Sequence, residues 1–253
     1  MALGLLYACT SDDEADVSAR PEVKDVEWRR LSPAPSKRTE VTATALDVRI
    51  FVMGGFSEAG DTVSDVEVYE TETDSWGSGP DLPIAVNHAM SATLDRTVYS
   101  IGGYLGPGLQ NPTDRAFAFR NGRWDEIPPM PQVRAAGGAA ALDGAIYVAG
   151  GVGPDGLAEE TFVFDPVANQ WTTAHGAPTA REHLGVAAHR GLLYVVGGRT
   201  GGIGSNLAAT EVFDPVTEEW TKLRDMPTAR GGIGAAATSN GYVLAAGGEA
   251  DST

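Results

Sequence analysis

Residues 145–156 read AIYVAGGVGPDG. Gly151, Gly153 and Gly156 form G-x-G-x-x-G directly after a strand-like run, the spacing that cradles a dinucleotide pyrophosphate when a helix follows. Here the third Gly leads into LAEETFVFDP (157–166), an alternating strand pattern, and Pro154-Asp155 marks a turn. The fingerprint therefore lacks its helix and predicts no cofactor. What matters in the stretch is Gly150-Gly151, because that pair recurs.

Gly-Gly pairs end strand-like runs at Gly54-Gly55, Gly102-Gly103, Gly150-Gly151, Gly197-Gly198 and Gly247-Gly248. The five tryptophans, Trp28, Trp76, Trp124, Trp171 and Trp220, lie 48, 48, 47 and 49 residues apart. From each Trp to the next Gly-Gly the distance is 26, 26, 26, 26 and 27, and from each Gly-Gly to the next Trp it is 22, 22, 21 and 23. The second interval carries the insertions. Self-similarity at this period means stacked supersecondary units.

Each unit reads as four strands. The first is small and apolar (VTATAL, GGAAAL, GVAAH), followed by a tight turn such as Asp143-Gly144 or Asn240-Gly241. The second ends in Gly-Gly, and a variable loop follows. The third alternates (VEVYE, AFAFR, TFVFD), and the fourth carries the Trp. Asn121-Gly122 signals a hairpin between third and fourth strands of one unit. A Pro-rich link such as LRDMPTAR opens the next. Four strands in about 50 residues, repeated, predict an all-β chain folded as a β-propeller.

The Gly-Gly, the Phe-Asp-Pro third strand and the spaced Trp resemble Kelch repeats over about residues 25–248. The resemblance implies blades of four strands, with Gly-Gly and Trp in structural roles. In such propellers an N-terminal fourth strand, here Trp28, completes the last blade. Five blade registers are visible, and the pattern stops before the third strand of the last one. The expectation is a propeller domain over 25–253, truncated at its C-terminus, with six blades in the complete protein.

Composition bounds the function. The formal net charge is −16, from 34 Asp+Glu against 18 Lys+Arg, which argues against a nucleic-acid partner. No run of 18 apolar residues predicts a transmembrane helix. The single cysteine, Cys9, excludes an internal disulfide or a Cys-based zinc site. Residues 1–9 form a signal-like segment whose end, Leu6-Tyr7-Ala8-Cys9, resembles a bacterial lipobox, with Leu three before the Cys and a small residue beside it. That resemblance implies lipidation of Cys9, an extracytoplasmic location and membrane contact only through the lipid. The apolar run is short for a signal sequence, which places the natural start upstream. Residues 10–24, with Asp12, Asp13, Glu14, Asp16 and Pro21, read as an acidic tether.

Alternating strand directions bring the loop entering strand one and the loop leaving strand two to one face. On that face the residue three after each link Pro is Arg38, Val86, Arg134, Arg181 and Arg230. Two residues further come Glu40, His88, Ala136, His183 and Gly232. The variable loops add Tyr104 and Arg199. A ring of Arg at a channel mouth predicts an anion site, with Arg38, Arg134, Arg181, Arg230, Glu40, Tyr104 and Arg199 as ligand-binding residues. His88 and His183 are acid–base candidates. They are not read as a metal motif, since no ligand cluster accompanies them in the chain. No metal and no cofactor are expected. Galactose oxidase is similar in its repeats, but its copper site needs a Cys cross-linked to a Tyr, and Cys9 lies outside the repeats. The reading is a recognition module for a protein or glycan ligand, including an anionic group. The alternative is a sugar-acid mutarotase resembling the bacterial sialic-acid mutarotases, with Arg134, Arg181 and Arg230 holding the acid.

Overall fold

The computed structural model describes residues 4–6 and 28–249, and they are all-β, with no helix among them. Cys9 and the stretch 10–24 lie outside the described residues. Four antiparallel four-stranded sheets are the blades. The first runs Thr42–Leu46, Arg49–Met53, Val66–Glu70 and Ser75–Ser78; the second Met90–Leu94, Thr97–Ile101, Ala116–Arg120 and Arg123–Ile127. The third runs Gly138–Leu142, Ala145–Ala149, Glu160–Asp165 and Gln170–His175; the fourth Gly185–His189, Leu192–Val196, Thr210–Asp214 and Glu219–Lys222. A fifth sheet pairs Gly231–Ala237 with Val243–Glu249, and Gly4–Leu6 lies antiparallel to the latter. The innermost strands of successive blades lie side by side around the axis.

The turn chemistry explains the hairpins. Asp143 and Gly144 have φ of 49° and 81°, and Asn121 and Gly122 have 54° and 79°. Two successive positive φ values are what a two-residue turn of right-twisted strands requires. At Asn240-Gly241 only Gly241 is left-handed (φ 98°), and the hairpin closes as a wider turn from Thr238 to Tyr242. The Asp of the Phe-Asp-Pro motif closes its turn through the side chain: Asp165 Oδ1 accepts from the amides of Val167 and Ala168, and Asp214 Oδ1 from Val216.

The Gly-Gly pair stitches one blade to the next. In the third blade Gly150 and Gly151 are left-handed, with φ of 62° and 91°. The Gly151 amide donates to the Arg181 carbonyl in the link to the fourth blade at 2.8 Å. A Cβ on Gly151 would lie 2.5 Å from the Ala135 carbonyl oxygen, and one on Gly150 2.7 Å from the Arg181 oxygen, so only Gly fits. The same amide-to-carbonyl bond recurs from Gly55 to Val86, Gly103 to Arg134 and Gly198 to Arg230. Gly153 and Gly156 serve differently. Val152–Gly153 pairs with Gly156–Leu157 in a small hairpin, which is where a nucleotide loop would have a helix.

The tryptophans are inter-blade staples. Each indole N–H donates to a carbonyl some repeat-length earlier: Trp76 to Ser32, Trp124 to Pro80, Trp171 to Pro128 and Trp220 to His175, at 2.8–2.9 Å. Each ring also packs on the aromatic residue opposite it in the third strand, with centroids 5.0–5.1 Å apart for Tyr69, Phe119, Phe164 and Phe213. Trp28 departs from the expectation. It lies in no strand and is 69% exposed. The described part of the fifth sheet offers no Tyr- or Phe-bearing third strand for it to pair with, so the indole has neither a strand register nor a ring to pack on.

Candidate functional site

The residues two beyond each link Arg or Val occupy one conformation in every blade. Glu40, His88, Ala136, His183 and Gly232 all have φ between 52° and 65°, a left-handed geometry that costs a non-glycine residue stability and persists where surroundings over-determine it. The surroundings here are a ring of main-chain hydrogen bonds. The His88 amide donates to the Glu40 carbonyl, Ala136 to His88, His183 to Ala136 and Gly232 to His183, at 2.7–3.0 Å. The ring surrounds the mouth of a central channel of about 500 Å3, whose wall includes Glu40, His88, His183 and Arg199.

A second tier comes from the neighbours of this ring. Asn87 exchanges both main-chain hydrogen bonds with Tyr104, and Glu182 does so with Arg199. Tyr104, Arg199 and Glu249 hold equivalent places, one residue past the Gly-Gly. Asn87 is fully buried; its amide nitrogen donates to Thr62 Oγ1, the Tyr104 carbonyl and the Gly106 carbonyl, which leaves Oδ1 2.6 Å from His88 Nδ1. Arg199 Nε meets Glu182 Oε1 at 3.1 Å, and its Nη1 meets Glu249 Oε2 at 2.9 Å.

The two histidines and Glu40 converge. The imidazoles are edge to face with centroids 4.8 Å apart. Glu40 Oε2 lies 3.1 Å from His88 Nε2 and 3.7 Å from His183 Nε2. The rim carboxylate is partly open at 37% side-chain exposure, whereas the His side chains are 4% and 6% exposed. Burial, reinforced by His183, pushes the His88 pKa down to about 4, so this ring is neutral at pH 7. Burial also raises the Tyr104 phenol. Contact with His183, together with Arg199, holds the Glu182 carboxyl below the ordinary range despite its burial.

The predicted ring of anion-binding arginines does not form. Arg38, Arg134 and Arg181 have side chains 3%, 0% and 0% exposed, and each guanidinium closes the base of its own blade's variable loop. Arg38 Nη1 donates to the Gly54 and Asp65 carbonyls, Arg134 Nη1 to Gly150 and Glu160, and Arg181 Nη1 to Gly197 and Ala209. Arg230 Nη1 likewise donates to Gly247. The left-handed Gly-Gly turns these carbonyls into the blade interior, where an unpaired acceptor is costly. Their need for donors, and not an external anion, accounts for the repeated Arg.

Two versions of this clamp exist. Arg38 and Arg181 each pair with a buried acid on the third strand, Glu67 and Glu211. Arg134 instead pairs at longer range with a half-exposed acid, Glu160, with Nη2 3.6 Å from Oε2, and lies over the Phe162 ring, 4.2 Å from its centroid; its Nε and Nη2 make no hydrogen bond. Burial accordingly pulls the Arg134 guanidinium down to about 10, while Glu211 offsets part of the same effect at Arg181.

Of the expected ligand-binding residues, the structure brings Glu40, Arg199 and Tyr104 together with both histidines and buries the Arg38, Arg134 and Arg181 side chains in the blades, while Arg230 stays partly exposed. Asn87, Glu182 and Glu249 belong to the site and were not singled out from the sequence. Their signal is positional: the first two precede the two histidines, and the third follows a Gly-Gly.

The blades, their Gly-Gly stitches and the Trp staples define a β-propeller of repeated four-stranded units. The KLHDC2/KLHL20/DRC7 Kelch-repeats domain matches residues 77–248, and the Kelch motif matches residues 37–83. The chain belongs to the Kelch-repeat family. Beta-scruin of Limulus polyphemus is 42% identical over 57 residues, 22% of this chain and 6% of that protein. Kelch-like protein 36 of Mus musculus is 33% identical over 85 residues, 30% of this chain and 14% of that protein. The chain thus spans a small part of the length of these relatives. The solved structure of YjhT superposes with a TM-score of 0.72 at 19% identity, covering 86% of this chain and 75% of that one; this likeness shows the fold.

Proposed function

We propose that this Kelch propeller is a recognition module that binds a protein or glycan ligand through the variable loops on the face where the channel opens. The observation that carries the reading is the variation of these loops from blade to blade; exposed apolar side chains stand on both faces, with Val167 (95%) and Val216 (87%) on the opposite turns. The loops after Gly-Gly vary between blades and carry Leu109, 53% exposed, and Ile203, 74% exposed, on a rigid ring of clamped loop bases. Large apolar tips on loops favour a protein surface over a sugar. The lipobox-like Leu6–Cys9 supports an extracytoplasmic module tethered by lipid at Cys9. Incorporation of labelled palmitate in cells by wild type and not by Cys9→Ala tests the anchor.

The binding face is tested with peptides selected from a displayed library on the wild-type protein. Leu109→Ser and Ile203→Ser should weaken those peptides at least tenfold by calorimetry. Val167→Ser and Val216→Ser, on turns of the opposite face, should leave affinity unchanged. The converse pattern sinks the reading.

The second reading, a mutarotase acting on an acid sugar, draws support from the acid–base groups Glu40, His88 and His183 at the channel mouth. It loses two of its three substrate arginines, since Arg134 and Arg181 are fully buried, while Arg230 stays partly exposed. Arg199 also lines the mouth. Acceleration of sialic-acid anomer exchange by NMR, abolished in His183→Ala, would favour it over the recognition reading.

A further inference from the structure

The hydrogen bonds at the channel mouth orient the two imidazoles toward Glu40. The amide nitrogen of Asn87 faces three acceptors, so its Oδ1 is the acceptor toward His88 Nδ1. His88 Nδ1 must then carry the ring proton. That places the lone pair of Nε2 toward the carboxylate oxygen of Glu40, 3.1 Å away. His183 repeats the arrangement. Its Nδ1 is 3.4 Å from Glu182 Oε2, and its Nε2 points to the same Glu40 oxygen at 3.7 Å. Neither ring nitrogen of this buried His183 makes a hydrogen bond. Both Nε2 atoms and one Glu40 carboxylate oxygen thus converge on a common point.

A cation at that point would meet all three donor atoms, and we infer that Glu40, His88 and His183 form a binding site for a divalent transition-metal ion at the mouth of the channel. The three donor atoms lie within 4.8 Å of one another. Zinc bonds of about 2.0–2.1 Å put tetrahedral donors roughly 3.4 Å apart, and the two separations to Glu40, 3.1 and 3.7 Å, bracket that value. The imidazole–carboxylate set suits zinc, cobalt, nickel or iron and disfavours calcium or magnesium, which take oxygen. The surrounding groups are those of a supported metal site: Asn87 fixes the His88 tautomer and Glu182 faces the far nitrogen of His183.

Charge agrees. Glu40, Glu182 and Glu249 face only Arg199 across the mouth, and Arg38 on the wall is matched by Glu67. Counted over carboxylates and guanidiniums alone, these groups carry two more negative than positive charges, the deficit a divalent ion fills. Three protein donors leave at least one position open toward the channel, as in sites that bind an exogenous ligand and unlike closed structural sites. Sequence inspection finds no such motif because the donors come from three blades and share only a place in the repeat. The inference stands independently of which partner the loops bind.

The test is calorimetric titration of Zn2+ into chelator-treated protein. One equivalent per chain is expected, with affinity at least tenfold weaker in His183→Ala and in Glu40→Gln. His175→Ala, a histidine away from the mouth, should bind as wild type. In parallel, ring 15N NMR of the wild-type protein should show Nε2 of His88 and His183 shifting on Zn2+ addition while His175 stays fixed, a readout that requires no variant. Absence of binding in the wild type overturns the site. So does binding retained in both variants, or a shift at His175 in place of the pair.

Discussion

Arg181→Met is the sharpest probe of what the repeated arginine does. The side chain is wholly buried, donates to the Thr179, Gly197 and Ala209 carbonyls and pairs with Glu211, itself 1% exposed. Met keeps much of the length and removes the charge. Glu211 would then keep only Thr179 as a partner, and a buried pair broken on one side costs about 3–5 kcal/mol. At the equivalent place in the third blade the acid is Glu160, 46% exposed and able to turn to water, so no buried acid would be stranded: Arg134→Met loses two carbonyl bonds, a ring contact and that long, half-exposed pair, about 2 kcal/mol together. Arg181→Met/Glu211→Met removes both charges and should recover about 2 kcal/mol of the single variant's loss. Urea unfolding followed by tryptophan fluorescence measures all four proteins, with the Arg181→Met midpoint lower than wild type by roughly 1–2 M. Equal losses for Arg181→Met and Arg134→Met, or a double variant no more stable than the single, would refute the clamp. An arginine reserved for an external anion would behave in the opposite way, costing affinity and not stability.

Three further outcomes follow from the same packing. Gly151→Ala brings a Cβ to 2.5 Å from the Ala135 carbonyl oxygen, whereas a Cβ at Gly156 meets nothing within 4 Å; the first should cost at least about 3 kcal/mol and the second about 1–2, the left-handed strain alone, in the same urea assay. Trp171→Phe leaves the Pro128 carbonyl without its indole donor and should cost about 1–2 kcal/mol, with Phe164 packing retained. Burial opposes ionisation of Glu67, but the Arg38 and Ser36 hydrogen bonds and the Arg38 charge outweigh it and hold its pKa below the ordinary 4.5. Its contribution is therefore complete above about pH 4.5 and is lost as pH falls through the lowered folded-state value. Glu67→Gln should flatten the acid limb of a stability–pH profile, and an unchanged acid slope would count against the pair.

Much of the architecture is legible in the chain because a blade is a local object. The Gly-Gly, the Asp143-Gly144 and Asn121-Gly122 turns and the Trp recur at one period, and each acts on neighbours within about a repeat. The same locality disposed of the phosphate fingerprint in AIYVAGGVGPDG, where a strand follows the third Gly. The place of Trp28 is not local in this sense, because its fourth-strand register depends on a third strand that the described fifth sheet does not include.

The site was decided at the tertiary level. Sequence periodicity put an arginine on the channel face of four repeats and a histidine or glutamate on that of three, but side-chain direction cannot be read from period. The left-handed Gly-Gly turns carbonyls into the blades, and those buried acceptors draw Arg38, Arg134 and Arg181 away from the mouth. The ring of main-chain hydrogen bonds then holds Glu40, His88 and His183 at one height around the axis. Only closure of successive blades about that axis brings together donors that the chain keeps far apart, and so converts unrelated residues of three repeats into one constellation.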